Sequence, residues 1–168
     1  MKKVCNVCHS ESYVNNFYVQ YDGLINLYNE KFGSPGVKIM KLIYANNLIT
    51  SQKFDEKIEW VWWEIWHHQG RRARHGVSMN APDYTHWHGL YEVAKAWYIE
   101  FIPEIKEVIS HNLNSSDHKK TKGAVIVKNE LDKMLNSANH QWFIGKLSPE
   151  EKAKRKKAQQ EFKARYAK

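Results

Sequence analysis

The 168-residue chain lacks several features that define common protein classes. Two cysteines cannot form the disulfide framework of a small secreted domain. Four prolines and eight glycines are too few for a collagenous or low-complexity chain. No apolar run approaches the ~18 residues of a membrane span, so we expect none. No alternating strand pattern is present either. These absences leave a helical globular chain, at about the size of one domain.

Apolar residues recur at helical spacing, which predicts an all-α fold with about five to six helices. The first carries an apolar stripe of five residues: Val14, Phe17, Tyr21, Leu24 and Tyr28. We expect it to end at 33–36, where Gly and Pro cluster, and the fourth helix to bend or break at Pro103. The later helices are expected at 37–48, 51–75, 85–109, 125–135 and from Ser148 onward, with loops at 76–82 and 112–123.

Positive charge is concentrated at the C-terminal end of the chain. Nine basic and three acidic residues between Lys146 and Lys168 supply +6 of the net charge of +8. A basic segment of this kind raises the question of nucleic acid or an anionic surface as a partner. We interpret it as the solvated face of a terminal helix, because the aromatic residues that would line a binding groove lie elsewhere in the sequence.

The N-terminal sequence Cys5-Asn6-Val7-Cys8-His9 has the spacing of a c-type haem attachment motif. In such a motif both thiols bond one porphyrin edge, and the adjacent His is an axial ligand of the iron. Three alternatives stay open: a structural zinc site, although no further Cys exists; a thioredoxin-like redox pair, although the βαβ setting is missing; and two unmodified thiols near the terminus.

A second group of residues combines imidazoles with indoles. Five of the nine histidines lie within 22 residues, interleaved with tryptophans 60, 62, 63, 66 and 87. A neutral imidazole offers one nitrogen to a metal while an acceptor holds the other N–H. We therefore predict that these histidines are axial ligands beside flat macrocycles: His67, His68, His75, His86 and His88. One Cys pair holds one haem, so most of them would serve haems attached elsewhere.

Two stretches, WWEIWHHQGRRARHG at 62–76 and MNAPDYTHWHG at 79–89, are followed by Tyr91-Glu92-Val93. Together they resemble the C-terminal region of the octahaem hydroxylamine oxidoreductases, which include related hydrazine-oxidising enzymes. Residues 5–9 are similar to the last haem-binding motif of that family. The resemblance covers nearly the whole chain but only the final portion of a family protein.

The resemblance implies a multihaem oxidoreductase with mostly bis-His haems, assembled as a trimer in the periplasm or an equivalent compartment. It implies one haem c on Cys5 and Cys8, with His9 as ligand. It also implies hydroxylamine or hydrazine as a small nitrogen substrate and a cytochrome as redox partner. Tyr84, placed in a loop, is similar to the tyrosine that cross-links to the catalytic haem of a neighbouring subunit. Tyr91 is its nearest competitor, and three arginines are expected to pair with haem propionates: Arg71, Arg72 and Arg74.

The chain departs from the family because seven of the eight haem motifs and a signal peptide are absent from it. We expect a fragment, a split-gene product or a small partner subunit of a larger assembly. The chain is then one helical segment, 1–168, with the motif at 1–12, a haem-packing region at 13–145 and a basic helix at 146–168. The alternative from another class is a haem-free basic helical module that binds nucleic acid or an anionic surface.

Overall fold

The computed structural model describes residues 1–166, and six continuous helices make up the fold. This confirms the predicted all-α class, and the residues described contain no strand. We number the helices in chain order: α1 Lys2–Cys5, α2 11–45, α3 57–78, α4 82–113, α5 His118–Leu135 and α6 Pro149–Tyr166.

Three of the helices contain π-helical turns, in which the backbone bonds span five residues and the helix is locally wider. Helix α2 contains one, and α3 contains another. Helix α4 contains two. Their bounds are Asn29–Gly33, Glu64–Gln69, His86–Tyr91 and Trp97–Phe101. Such turns are rare, and they are frequent at functional sites.

The expected helix end at 33–36 is wrong, because α2 runs through Pro35 to Ala45. Pro103 does not break α4 either. A proline inside a helix has no N–H to donate, and its ring clashes with the carbonyl four residues earlier. In both cases that carbonyl, of Lys31 or Ile99, belongs to a π turn. The wider turn lets the helix continue past each proline.

Three further boundaries differ from the sequence prediction. The predicted loop at 76–82 shortens to residues 79–81, because α3 continues to Ser78 and α4 begins at Pro82. Helix α3 begins at Lys57 rather than Ser51, because the N–H of Glu56 donates to the Glu59 carboxylate at 3.3 Å and stabilises the later start. The predicted loop at 112–123 likewise shortens to residues 114–117. Asn112, expected in that loop, belongs to α4 instead. It is buried and donates to the carbonyls of Leu48 at 2.9 Å and Val108 at 2.8 Å.

The chain folds as two compact units, Met1–Glu130 and the residues from Leu131 onward. The single helical segment expected from the sequence stays a prediction. The core of the first unit is built from isoleucines and aromatic rings. Trp97 is fully buried on a π turn of α4, with its ring centroid 5.4 Å from Phe32 and 5.0 Å from Phe101.

The second unit contains the basic helix, which begins as predicted. The Ser148 hydroxyl accepts the N–H of Glu151 at 3.1 Å and caps α6. Residues 149–165 are all exposed, which agrees with a solvated helix. Ala167 and Lys168 of the predicted segment lie outside the described residues. Within 1–166, no helix combines the length and the apolar character that crossing a membrane requires.

Glycines allow α3 and α4 to touch backbone to backbone. A Cβ added at Gly89 would lie 2.6 Å from the Cα of Ala73, and one added at Gly76 would lie 2.5 Å from the Thr85 hydroxyl and 3.1 Å from its Cα. Side chains at these positions would push the helices apart. The register between α3 and α4 is therefore fixed at two points.

We predict that Gly89→Ala lowers the free energy of unfolding by about 1–3 kcal/mol, because the new methyl group meets backbone that cannot move aside. Gly23→Ala is the matched control, since Gly23 lies in α2 with nothing within 4 Å of an added Cβ. Its higher helix propensity should raise stability by about 0.5–1 kcal/mol. Urea unfolding followed by circular dichroism measures both. Equal changes in the free energy of unfolding for Gly89→Ala and Gly23→Ala would contradict the close contact between Gly89 and Ala73.

A buried carboxylate holds the start of α3 against α2. The Tyr44 hydroxyl donates to Glu59, which is only 4% exposed. Burial first, and then the hydrogen bond and charge of Glu59, raise the pKa of Tyr44 from 10.0 to about 12. The folded state therefore holds this phenolic proton more tightly than the unfolded state does.

The contribution of this proton to stability is complete below pH 10.0 and is lost as the pH rises towards about 12. We predict that the urea midpoint of the wild type falls more steeply between these values than that of Tyr44→Phe, which cannot ionise. Tyr18→Phe serves as a control at a tyrosine outside this pair and should match the wild type. If the urea midpoints of wild type and Tyr44→Phe fall equally with pH, the phenol of Tyr44 does not titrate as described.

Candidate functional site

The N-terminal motif forms a helical turn. The N–H groups of Cys8 and His9 both donate to the carbonyl of Cys5, at 3.2 and 3.0 Å. Residues three and four positions apart on a helical turn share one face. Both thiols are free; Cys5 is half-buried, whereas Cys8 and His9 are exposed. Cys5, Cys8 and His9 are therefore neighbours on one turn, and Cys8 and His9 are accessible to a bulky group.

Two interactions connect this motif to the turn between α3 and α4. The His9 ring stacks on Tyr13, with centroids 4.9 Å apart and planes 24° apart. The Asn80 amide donates to the Tyr13 hydroxyl at 3.4 Å. The motif therefore lies beside the segment that carries the other predicted residues.

Four of the five clustered histidines lie on π turns. His67 and His68 belong to the π turn Glu64–Gln69 of α3, and His86 and His88 belong to the π turn His86–Tyr91 of α4. His75 lies on the following α-helical part of α3. His67 is half-buried and the other four are exposed. Their ring nitrogens are therefore open to an external ligand.

A cleft of about 350 Å³ brings part of the predicted set together. Its walls contain predicted residues from both α3 and α4. They are His67, His68, His75, Arg71, Arg72 and Tyr84. The close approach of Gly76 to Thr85 places Tyr84 at this cleft, because it holds the start of α4 against α3.

Trp63 forms the aromatic wall of the same cleft. Its ring is nearly parallel to the imidazoles of His67, at 4.6 Å and 23°, and of His68, at 6.5 Å and 15°. The His67 imidazole is therefore stacked on the indole, and the His68 ring is nearly parallel to the same indole. Parallel aromatic rings of this kind suit a planar group better than a compact ion.

Glu92 holds two of the predicted residues. It accepts from the Arg72 guanidinium at 2.8 Å and faces Nδ1 of His88 at 3.3 Å. A carboxylate at one ring nitrogen fixes the orientation of the imidazole and leaves the other nitrogen for a ligand. The ring of His88 is also 5.4 Å from that of Tyr84.

The remaining predicted residues lie outside the cleft. Arg74 stacks over the ring of Tyr28 at 4.7 Å and lines a different cavity. His86 lines a third cavity beside Pro82 and Thr85. The pairing of Arg71, Arg72 and Arg74 with haem propionates stays a prediction, but Arg74 lines a cavity other than the one that Arg71 and Arg72 line. Arg74 follows Arg72 by two residues, a step that places the two side chains on different sides of α3.

The loop position expected for Tyr84 is wrong. It lies in the first turn of α4, Pro82–Thr85, because Pro82 starts a helix readily. Tyr91 is helical as predicted, so the two tyrosines do not differ in backbone freedom. They differ in surroundings instead. Tyr84 lines the histidine cleft, whereas Tyr91 packs against Trp87 at 5.8 Å.

In the described part of the chain, no three His, Cys, Asp or Glu side chains converge as a metal-ion site. The imidazoles are spread over a surface, so each would act as a ligand by itself. Comparison with known proteins returns no matching family model, curated protein or solved structure. The interpretation therefore depends on the residues and their geometry.

Sequence reasoning did not assign a role to Glu92, Gly76 or Gly89. The spacing of His88 and Glu92, one helical turn apart, is a signal that could have identified the first. The glycines act through close packing of two helices, and no local pattern predicts this. The wall of the cavity that Arg74 lines also includes residues of α2 between Tyr28 and Lys41. It depends on the continuation of α2 through Pro35, where the sequence predicted a helix end.

Proposed function

We propose that this chain is a haem-carrying segment of a multihaem c-type cytochrome, similar to the hydroxylamine oxidoreductases. The observation that supports this best is the helical turn at 5–9. It brings two free thiols and an imidazole together on one turn, with Cys8 and His9 exposed. A haem c held there would supply an iron that accepts and passes on single electrons.

The donor set of this turn fits such a group better than the alternatives. A structural zinc site needs four converging ligands, and among the described residues no three His, Cys, Asp or Glu side chains converge on one point. The thiols lie near the end of a four-residue helix with no buried residues, so a bulky group can approach without disturbing the core. His9 follows Cys8 directly and is exposed, so its imidazole would be the ligand of the iron.

The cleft supplies groups for further haems that other chain segments would hold. Imidazoles on π turns offer axial nitrogens, and Glu92 orients His88 for that purpose. Arg71 can pair with a propionate, and Arg72 can do so while it is held by Glu92. These residues bind and orient; the substrate, hydroxylamine or hydrazine, would be oxidised at an iron elsewhere in the assembly.

The assembly we propose is a periplasmic homotrimer in which this chain completes a longer octahaem polypeptide or joins it as a subunit. A cytochrome would then take up the electrons. Exposed indoles such as Trp60 and Trp87, at 52% and 56%, support a further covering group or chain.

The first test is covalent attachment. With an added export signal and a cytochrome c maturation system, the chain should retain one haem after acid–acetone extraction. Cys5→Ala together with Cys8→Ala should abolish attachment. Asn6→Ala, an exposed substitution between the two cysteines, should retain it. Loss of all colour from the wild-type chain on extraction would refute the proposal.

The second test concerns Tyr84 in the complete assembly. Tyr84→Phe should remove the haem–tyrosine cross-link, leave the bis-His haem spectra intact and lower hydroxylamine oxidation. Tyr91→Phe is the matched control, because this tyrosine is equally accessible but outside the cleft. Mass spectrometry of the haem peptides measures the bond. If the cross-link survives Tyr84→Phe, or disappears only in Tyr91→Phe, the assignment is wrong.

A further inference from the structure

A second large cavity of the first unit lies between α2 and α3, and none of the residues of the histidine cleft lines it. Its volume is about 710 Å³, within the range of small-molecule sites. Its aromatic and cationic walls are built from Tyr28, Trp62, Trp66, Lys38, Lys41 and Arg74. The resemblance assigns a haem propionate to Arg74, but neither it nor the proposed haem site assigns a ligand to the cavity as a whole.

Glycines hold the aromatic walls in place. A Cβ at Gly36 would lie 2.0 Å from the Trp62 ring, and one at Gly70 would lie 2.4 Å from the Tyr28 hydroxyl. Trp62 also stacks on Phe101 at 5.4 Å and 29°. The walls are therefore fixed flat surfaces. Two π turns, Asn29–Gly33 and Glu64–Gln69, contribute residues to the rim.

Charge at the cavity is of one sign. Lys38, Lys41 and Arg74 line it, and no Asp or Glu is among the described residues of its walls. Lys38 is paired with Glu130 at 2.7 Å, outside the lining. Arg74 stacks over Tyr28 and donates to the Trp66 carbonyl at 3.2 Å. Neither contact involves an anion, so the guanidinium can use its charge and its remaining N–H groups to bind an anion at the rim.

Tyr28 does not offset this positive charge. Burial raises the pKa of its phenol, and the opposing effect of Arg74 is smaller. Its hydroxyl donates to the Ile65 carbonyl at 3.2 Å, and Arg74 lies over its ring. A neutral aromatic wall beneath a guanidinium favours a flat apolar body with an acidic group at one end.

We propose that this cavity binds a flat aromatic carboxylate, whose ring system lies against Trp62 and Trp66 and whose carboxylate faces Arg74. The proposal is independent of haem attachment at Cys5 and Cys8. The two can therefore succeed or fail separately.

The test uses the full chain and a matched pair of probes, pyrenebutyrate and uncharged pyrenebutanol, in isothermal titration. We expect one site, and an affinity for pyrenebutyrate about tenfold above that for pyrenebutanol, as for one charge-assisted hydrogen bond. Equal affinity for the two probes would overturn the proposal.

Four variants locate the site. Arg74→Gln should reduce pyrenebutyrate affinity about tenfold and leave pyrenebutanol unchanged, whereas Arg71→Gln, on the same helix but in the other cleft, should alter neither. Trp66→Ala should weaken both probes. Trp87→Ala, at a similarly exposed indole, should weaken neither. If Trp87→Ala weakens binding and Trp66→Ala does not, the probes bind the exposed aromatic surface and the proposal is wrong.

A filling variant is an independent check on the cavity itself. Val37 lines the cavity and is 42% exposed, so Val37→Trp can fill the space without a change in the core. We expect binding of both probes to be lost while the circular dichroism spectrum is unchanged. Unchanged binding in this variant would place the probes elsewhere and overturn the proposal.

Discussion

Helices α3 and α4 touch backbone to backbone at two places, and the candidate cleft depends on this close packing. Gly89 meets Ala73, and Gly76 meets Thr85. With the separation of the helices fixed there, Tyr84 comes to line the same cleft as the histidines of α3. Larger side chains at either glycine would separate these groups even if every residue of the cleft were kept.

The π turns make the second contribution. A π turn changes the direction of the side chains that follow it and widens the helix. In this chain the turns serve two purposes. Two of them allow α2 and α4 to continue through Pro35 and Pro103, and two carry pairs of histidines. The same local geometry thus builds long helices and presents imidazoles at the surface.

The all-α class could be predicted from the sequence, because an apolar stripe such as the one ending at Tyr28 depends only on helical periodicity. The start of α6 could also be predicted, because Ser148 caps it locally. The helix bounds near Pro35 and Pro103 could not be predicted, since the π turns that let these helices continue depend on how the whole helix packs. The group of five histidines at 67–88 could be predicted as well, but not the cleft that His67, His68 and His75 share with Tyr84, since it depends on the close packing of α3 against α4 at Gly76 and Gly89.

The central claim is that the turn at 5–9 carries a haem bonded to both cysteines. Peptide mapping of the exported protein by mass spectrometry tests it most directly. The account predicts one haem-bearing peptide per chain, with thioether bonds at Cys5 and Cys8 and none elsewhere. A peptide from this region with both cysteines unmodified, in protein that has passed through a working maturation system, would contradict the account.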